Sequence, residues 1–261
     1  MNRQAQAAVL FLTGAAMLHA SSTDLYLRYV KAGLQPLLIL AGIVLIAAAV
    51  ATVWYELRQG RGKGPAEAGG AGHTHTAGDT DPSGHSHGSG HPHREPRISW
   101  LLVLPLFALV LVAPPALGSY SAMHAGTALQ RPWGYSALPD RDPLPMSAVD
   151  YAGRAAYDHG RTLAGRRIEI TGFIALDGAG AAYLVRMELS CCAADAQPVK
   201  IGLTGQLPPV LEPDSWLKVT GTYTGKLTKD PVNGGRIPFL DVTATQPMPT
   251  PKDPYESGWR G

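Results

Sequence analysis

Cys191 and Cys192 are the only cysteines in this chain of 261 residues, and they are adjacent, in the stretch SCCAADAQP. Adjacent cysteines cannot staple distant segments together, so the usual structural use of cysteine in an oxidising compartment does not account for them. Three readings stand. The pair serves as small buried apolar side chains. It supplies thiolate ligands for a soft metal, with Asp195 and His159 or His124 completing the shell. Or it is a redox pair that closes a strained vicinal disulfide. In a regular strand the two side chains point to opposite faces, so a bulge or turn is required before both sulfurs serve one target. Two thiolates leave a tetrahedral zinc site unfilled, and further ligands must come from the fold, a partner or a neighbouring copy.

Six of the nine histidines lie within residues 60–97 as three H-x-H pairs: His73 and His75, His85 and His87, His91 and His93. Imidazole suits zinc, copper or nickel, and several rings on a flexible tract can close around one ion as a weak metal buffer. The alternative is a solvated linker whose histidines do little. Two catalytic signatures are missing: there is no H-E-x-x-H and no G-x-x-x-x-G-K-[ST]. The G-x-G at Gly178–Gly180 reads as a turn between strands. Asp150, Asp158 and Glu169 read as solvated surface charges.

The elements that carry these residues separate sharply by charge. Residues 7–54 hold only Asp24, Arg28 and Lys31 as charges, whereas residues after 140 are charged at ordinary density. That excludes a single globular enzyme and predicts a multi-pass α-helical membrane anchor followed by a soluble domain. Leu34–Trp54 and Ile98–Leu117 are uncharged runs of transmembrane length, the second ended by Pro114-Pro115. The 5–22 run is weaker and has the outline of a signal peptide, but Leu18 is bulky where a cleavage site after Ala20 needs a small residue, so a retained span is preferred. Arg58, Arg61, Lys63, Arg94 and Arg97 flank or lie in the segment 55–97, which places it in the cytoplasm. The chain then sits in the plasma membrane with everything after Leu117 extracytoplasmic. Residues 1–59 carry two helices, 60–97 a disordered linker, 98–117 a third span, 118–146 a Pro-rich tether and 147–261 the outer domain.

In that outer domain Ser147 is placed to cap a short helix ending near Arg154. Strand patterns follow at Arg167–Ile174, Ala182–Leu189, Val199–Leu203, Trp216–Thr224 and Ile237–Ala244. Five short strands in about 110 residues predict an all-β, small OB-like antiparallel barrel. Such barrels often bind oligonucleotides, but fourteen Lys plus Arg stand against fourteen Asp plus Glu from Ser119 onward, too few cations in excess for a nucleic-acid partner. The net charge of +2 comes from the eight basic and six acidic residues before Ser119, a topology signal rather than a binding field.

Several stretches together resemble the uncharacterised YcgQ-like membrane protein family of bacteria. They are YLRYVKAGLQPLL at Tyr26–Leu38, APPALGS at Ala113–Ser119, ITGFI at Ile170–Ile174, CCAADAQP at Cys191–Pro198 and PKDPYESGW at Pro251–Trp259. CCAADAQP is the most specific of them. The resemblance implies a membrane anchor with an OB-like outer domain working beside a YcgR-type permease, and zinc-dependent regulation of some relatives implies a link to metal supply. It carries over no reaction, and for sites it reaches only Cys191, Cys192, Ala193, Ala194 and Asp195. The expectation is a non-enzymatic accessory subunit of a permease, with zinc as the cofactor to test. The alternative is an extracytoplasmic thiol-disulfide oxidoreductase using Cys191 and Cys192, and a purely structural scaffold is the third reading.

Overall fold

A computed structural model describes residues 3–61 and 116–257. The six linker histidines and nearly all of the expected third span, 98–115, lie outside the described residues. The rest forms two compact units: one holds the helical residues up to Leu18 and from Leu40 to Arg61, the other holds His19–Ile39 and the described part of 113–261.

In the first unit, helices α1 (Arg3–Ser22) and α2 (Gln35–Arg61) are both long and apolar enough to cross a membrane. They cross at glycines. A Cβ on Gly14 would stand 2.8 Å from the Gly42 carbonyl oxygen, and one on Gly42 would stand 2.9 Å from the Leu18 side chain, so only glycine permits this approach. Leu37, Leu40, Ile43, Val44, Val50 and Leu57 leave an apolar face of α2 open, which suits lipid better than water.

The second unit is built on a seven-stranded mixed sheet. Helix α3 (Ser119–His124) opens the segment expected to be extended, and strand β1 (Leu144–Met146) ends it. Helix α4 (Ala148–Tyr157) follows, then β2 (Arg167–Leu176), β3 (Ala182–Leu189), β4 (Gln197–Gly205), β5 (Trp216–Lys229), β6 (Arg236–Met248) and β7 (Tyr255–Ser257). β2 pairs with both β3 and β5, so β2-β3-β4-β6-β5 closes into a ring, with β1 added on β2 and β7 on β3. The antiparallel expectation is corrected at three ladders: β1–β2, β3–β7 and β4–β6 run parallel. The cause is connectivity. β4 and β6 are neighbours with one strand, β5, between them in sequence, and two reversals restore the direction. Helix α4 does the same between β1 and β2.

Alternation in the strands sorts side chains between two cores. Ile168, Ile170 and Ile174 of β2 face one core, closed by Tyr151, Ala152 and Ala155 of α4, while Phe173 and Ala175 face the other, with Met187, Trp216 and Tyr255. Gly172 falls on the first face by the same alternation, and glycine fits there because a Cβ would stand 2.8 Å from the Val185 carbonyl oxygen of β3. The G-x-G is a hairpin turn as read. Asp177 Oδ1 accepts the amides of Ala179 and Ala181, and Gly180 takes φ 84.

Helix α4 has its first turn fully satisfied. Ser147 Oγ accepts the Asp150 amide at 3.0 Å, and the Glu256 carboxylate of β7 accepts the amides of Ala148 and Val149 at 3.0 and 3.2 Å. The helix runs one turn beyond Arg154, whose buried guanidinium bonds Asp150, Thr162 and the Ser136 carbonyl. The reading of Asp158 as a solvated charge is corrected: it is buried and paired with the exposed Arg161, since α4 packs its C-terminal end on the barrel. Asp150 and Glu169 are part-exposed and paired with Arg154 and Lys218. Lys200 and Asp230, at 2.8 Å, form a pair in which both members are buried. Lys200 Nζ also donates to the Ala125 carbonyl, and Asp230 accepts the amides of Thr127 and Val232. It pins residues 125–127 to β4 and to the β5–β6 turn.

Candidate functional site

Strand β3 leaves the sheet after Leu189, and Ser190 to Ala196 turn back into β4. This is the break that adjacent cysteines need to share one side. Asp195 builds the turn. Its Oδ1 accepts the Ser190 amide at 3.0 Å, and its Oδ2 accepts the amides of Cys191 at 2.8 Å and Cys192 at 3.4 Å. Cys192 stands at the cap of the 3₁₀ turn Ala193–Asp195, its carbonyl oxygen accepting the Asp195 amide at 3.0 Å. Within this loop the sulfurs of Cys191 and Cys192 and a carboxylate oxygen of Asp195 all lie within 4.8 Å of one another. Cys191 is exposed, Cys192 is half-buried, and both are free.

The donors suit one ion. Two sulfurs about 2.3 Å from a tetrahedral zinc stand about 3.8 Å apart, which fits within this spacing, and the carboxylate makes a third ligand. His124 and His159 do not join the group. His124 stacks on Tyr120 and bonds its carbonyl at 2.7 Å, and His159 occupies the turn after α4 at φ 51. Three donors on an open surface leave one coordination position for solvent or an incoming ligand.

Electrostatics separate the two roles proposed for the pair. The hydrogen bond from the Cys191 thiol to Asp195, aided by Cys192, pushes that thiol up to about 11. The same bond, with the three amides, holds the Asp195 carboxyl below the ordinary carboxylate value. A thiol kept protonated is a slow nucleophile at neutral pH, whereas a metal ion displaces the proton itself.

Sequence reasoning did not foresee what grips this turn. The connector between α1 and α2 carries a 3₁₀ turn at Asp24–Arg28 and then pairs with the cysteines: Val30 forms an antiparallel bridge with Cys192. The Lys31 amide donates to the Cys191 carbonyl at 3.1 Å and the Ala193 amide to the Tyr29 carbonyl at 2.7 Å. Tyr255 of β7 holds the same connector, its hydroxyl donating to the Arg28 carbonyl at 2.8 Å and accepting the Leu117 amide at 3.2 Å. Lys252 pairs with Asp24 at 2.9 Å.

Residues 151–256 match the DUF1980 C-terminal domain. The match runs from α4 to β7 and includes Cys191, Cys192 and Asp195. The connector that grips the cysteine turn lies outside the part similar to the DUF1980 domain. No curated protein and no solved structure matches the chain.

Beside the turn runs a groove of about 1010 Å³ lined by Arg131, Trp133, Tyr135, Glu188, Ser190 and Asp195 among others. Trp133 is fully exposed at its rim, while Tyr135 is fixed by its hydroxyl bond to the Gly153 carbonyl and by Arg154 over its ring. Burial, and then the neighbouring Glu256, raise the Glu188 carboxyl above its ordinary value. Burial also raises Glu256, against the pull of Arg186 at 3.4 Å and the two α4 amides.

Proposed function

We propose that this chain is a membrane-anchored, non-enzymatic accessory subunit whose outer barrel handles a soft metal ion, zinc being the first to test, beside a permease. The observation that carries the metal reading is the convergence of two sulfurs and one carboxylate within 4.8 Å on an open turn. The raised Cys191 thiol weighs against the thiol-disulfide oxidoreductase reading, because such enzymes work through a thiolate that is ready at neutral pH.

The ring order β2-β3-β4-β6-β5, with its parallel β4–β6 ladder, has the strand order of an OB-like barrel, the fold proposed for the outer domain. The even charge balance of that domain favours an ion over a nucleic acid as ligand. For topology, the basic residues around 55–97 put that segment in the cytoplasm, and a connector that touches the cysteine turn has to share its side of the membrane. Packing of Tyr29–Lys31 on Cys191–Ala193 therefore supports a multi-pass chain with the barrel outside. The permease partnership rests on the family resemblance and is tested apart from the metal.

The test is metal analysis of the full chain purified in mild detergent under reduction. About one zinc per chain in wild type, lost in Cys191→Ala/Cys192→Ala, is the expected result. Equal metal in both proteins overturns the site assignment. For the partnership, crosslinking in intact membranes followed by pull-down should recover a permease, and a chain that purifies alone would refute it.

A further inference from the structure

The cysteine turn and the connector are two halves of one small assembly. Two backbone hydrogen bonds, which together make the Val30–Cys192 bridge, join them: the Lys31 amide on the Cys191 carbonyl and the Ala193 amide on the Tyr29 carbonyl. These bonds use the Cys191 carbonyl and the Ala193 amide, the main-chain groups on either side of Cys192. A metal that draws both sulfurs to one point fixes the torsions of Cys191 and Cys192, and their carbonyl and amide groups cannot move independently of that. The connector in turn is the covalent join between the two apolar helices.

We infer that metal occupancy of the Cys191/Cys192/Asp195 turn is communicated to the α1–α2 connector through these two backbone hydrogen bonds, so that loading of the outer domain tightens the connector's grip. The inference rests on the metal reading and adds its regulation. By linkage the effect is reciprocal: whatever loosens the connector weakens the metal by the same factor. The direction follows from preorganisation. A connector seated on the turn holds the two cysteines near their ligating geometry before the ion arrives, and releasing it leaves that ordering for the ion to perform.

Lys31 offers a narrow way to cut one contact. Its φ is −57, inside the range that proline imposes, and Val30 before it is already in an extended bridge, the region a following proline favours. Lys31→Pro therefore deletes the amide donated to Cys191 while leaving the path of the chain. Lys31→Ala removes the same side-chain charge and keeps the amide. Both are compared with wild type and with Cys191→Ser/Cys192→Ser in the full chain, reduced, in lipid nanodiscs. Zinc affinity is read by competition with a chromophoric chelator, and amide exchange is read on peptides covering 26–34 and 189–197 with and without zinc.

Slower exchange at 29–31 on adding zinc to wild type is expected, with about three- to tenfold weaker zinc binding in Lys31→Pro and near-wild-type binding in Lys31→Ala. The double serine variant should show neither zinc binding nor the change in exchange. Cysteine-dependent zinc binding with unchanged exchange at 29–31 and equal affinity in Lys31→Pro overturns the coupling and leaves the metal site standing. A wild-type chain that takes up no zinc through its cysteines overturns both.

Discussion

The Asp195 carboxylate sets the reactivity of Cys191, and Asp195→Asn isolates that effect. Asparagine keeps one oxygen for the amides of Cys191 and Cys192, gives up the acceptor of the Ser190 amide, and is itself a good capping residue, so two of the three bonds of the turn survive while the charge goes. The thiol is expected to fall from about 11 toward its ordinary 9.0. At pH 8 the thiolate fraction then rises from about one in a thousand to about one in ten. A less basic thiolate is also less nucleophilic; with a Brønsted slope of about 0.4–0.5 that drop costs about eightfold. The net gain is about tenfold in the alkylation rate at Cys191. Iodoacetamide labelling against pH, with Cys191 and Cys192 distinguished by fragment-ion mass spectrometry, reads it directly. The wild-type rate should still be climbing at pH 10, while the Asn variant levels off near 9. Identical profiles that both level off near 9 would show that the carboxylate does not hold the thiol and would remove the argument against a redox role.

Three further outcomes follow from packing and charge. Asp230→Ala leaves the Lys200 ammonium buried and unpaired and should cost about 3–5 kcal/mol in urea unfolding followed by near-UV circular dichroism, whereas Lys200→Met/Asp230→Leu, which removes both charges but still strands the Thr127 and Val232 amides, should recover only part of that loss. Because burial, and then Glu256, raise Glu188, its charged form weakens folding as pH rises through that raised value. Glu188→Gln should therefore raise Tm at about pH 8 and leave it unchanged at about pH 3.5, where both states are protonated. Gly172→Ala drives a methyl against the Val185 carbonyl oxygen and should destabilise the barrel by about 1–3 kcal/mol in the same urea assay.

The barrel strands were readable because each is half-buried and long enough to alternate: Ala182–Leu189 has the bounds its pattern suggests, and β2, β4, β5 and β6 extend theirs by a few residues. β1 and β7 were not readable. Each has three residues, too few for a period, and each pairs in parallel, β1 with the next strand across a helix and β7 with the distant β3. The direction of the β4–β6 ladder was hidden for a related reason, since turn signals describe consecutive strands only. At the site, residue type pointed to Cys191, Cys192 and Asp195, but the role of Asp195 as acceptor of three amides was missed. The spacing of Cys192 and Asp195 is that of a capping box with cysteine at the cap, a signal that was present and unused. Nothing local marks Tyr29–Lys31 as the partner of the turn, because their contact depends on how the whole second unit closes.

Tyr255 bonds a residue 227 positions earlier and another 138 positions earlier, and its neighbour Glu256 completes the start of α4. These residues follow every other element of the second unit in the chain. Until they arrive, the connector lacks its anchor at Arg28, two amides of α4 lack acceptors, and the outer edge of β3 lies open to pairing with other chains. The second unit is therefore sealed only once β7 has been synthesised, and a polypeptide cut short before Tyr255 would carry an exposed sheet edge by which proteases could tell it from a sealed one.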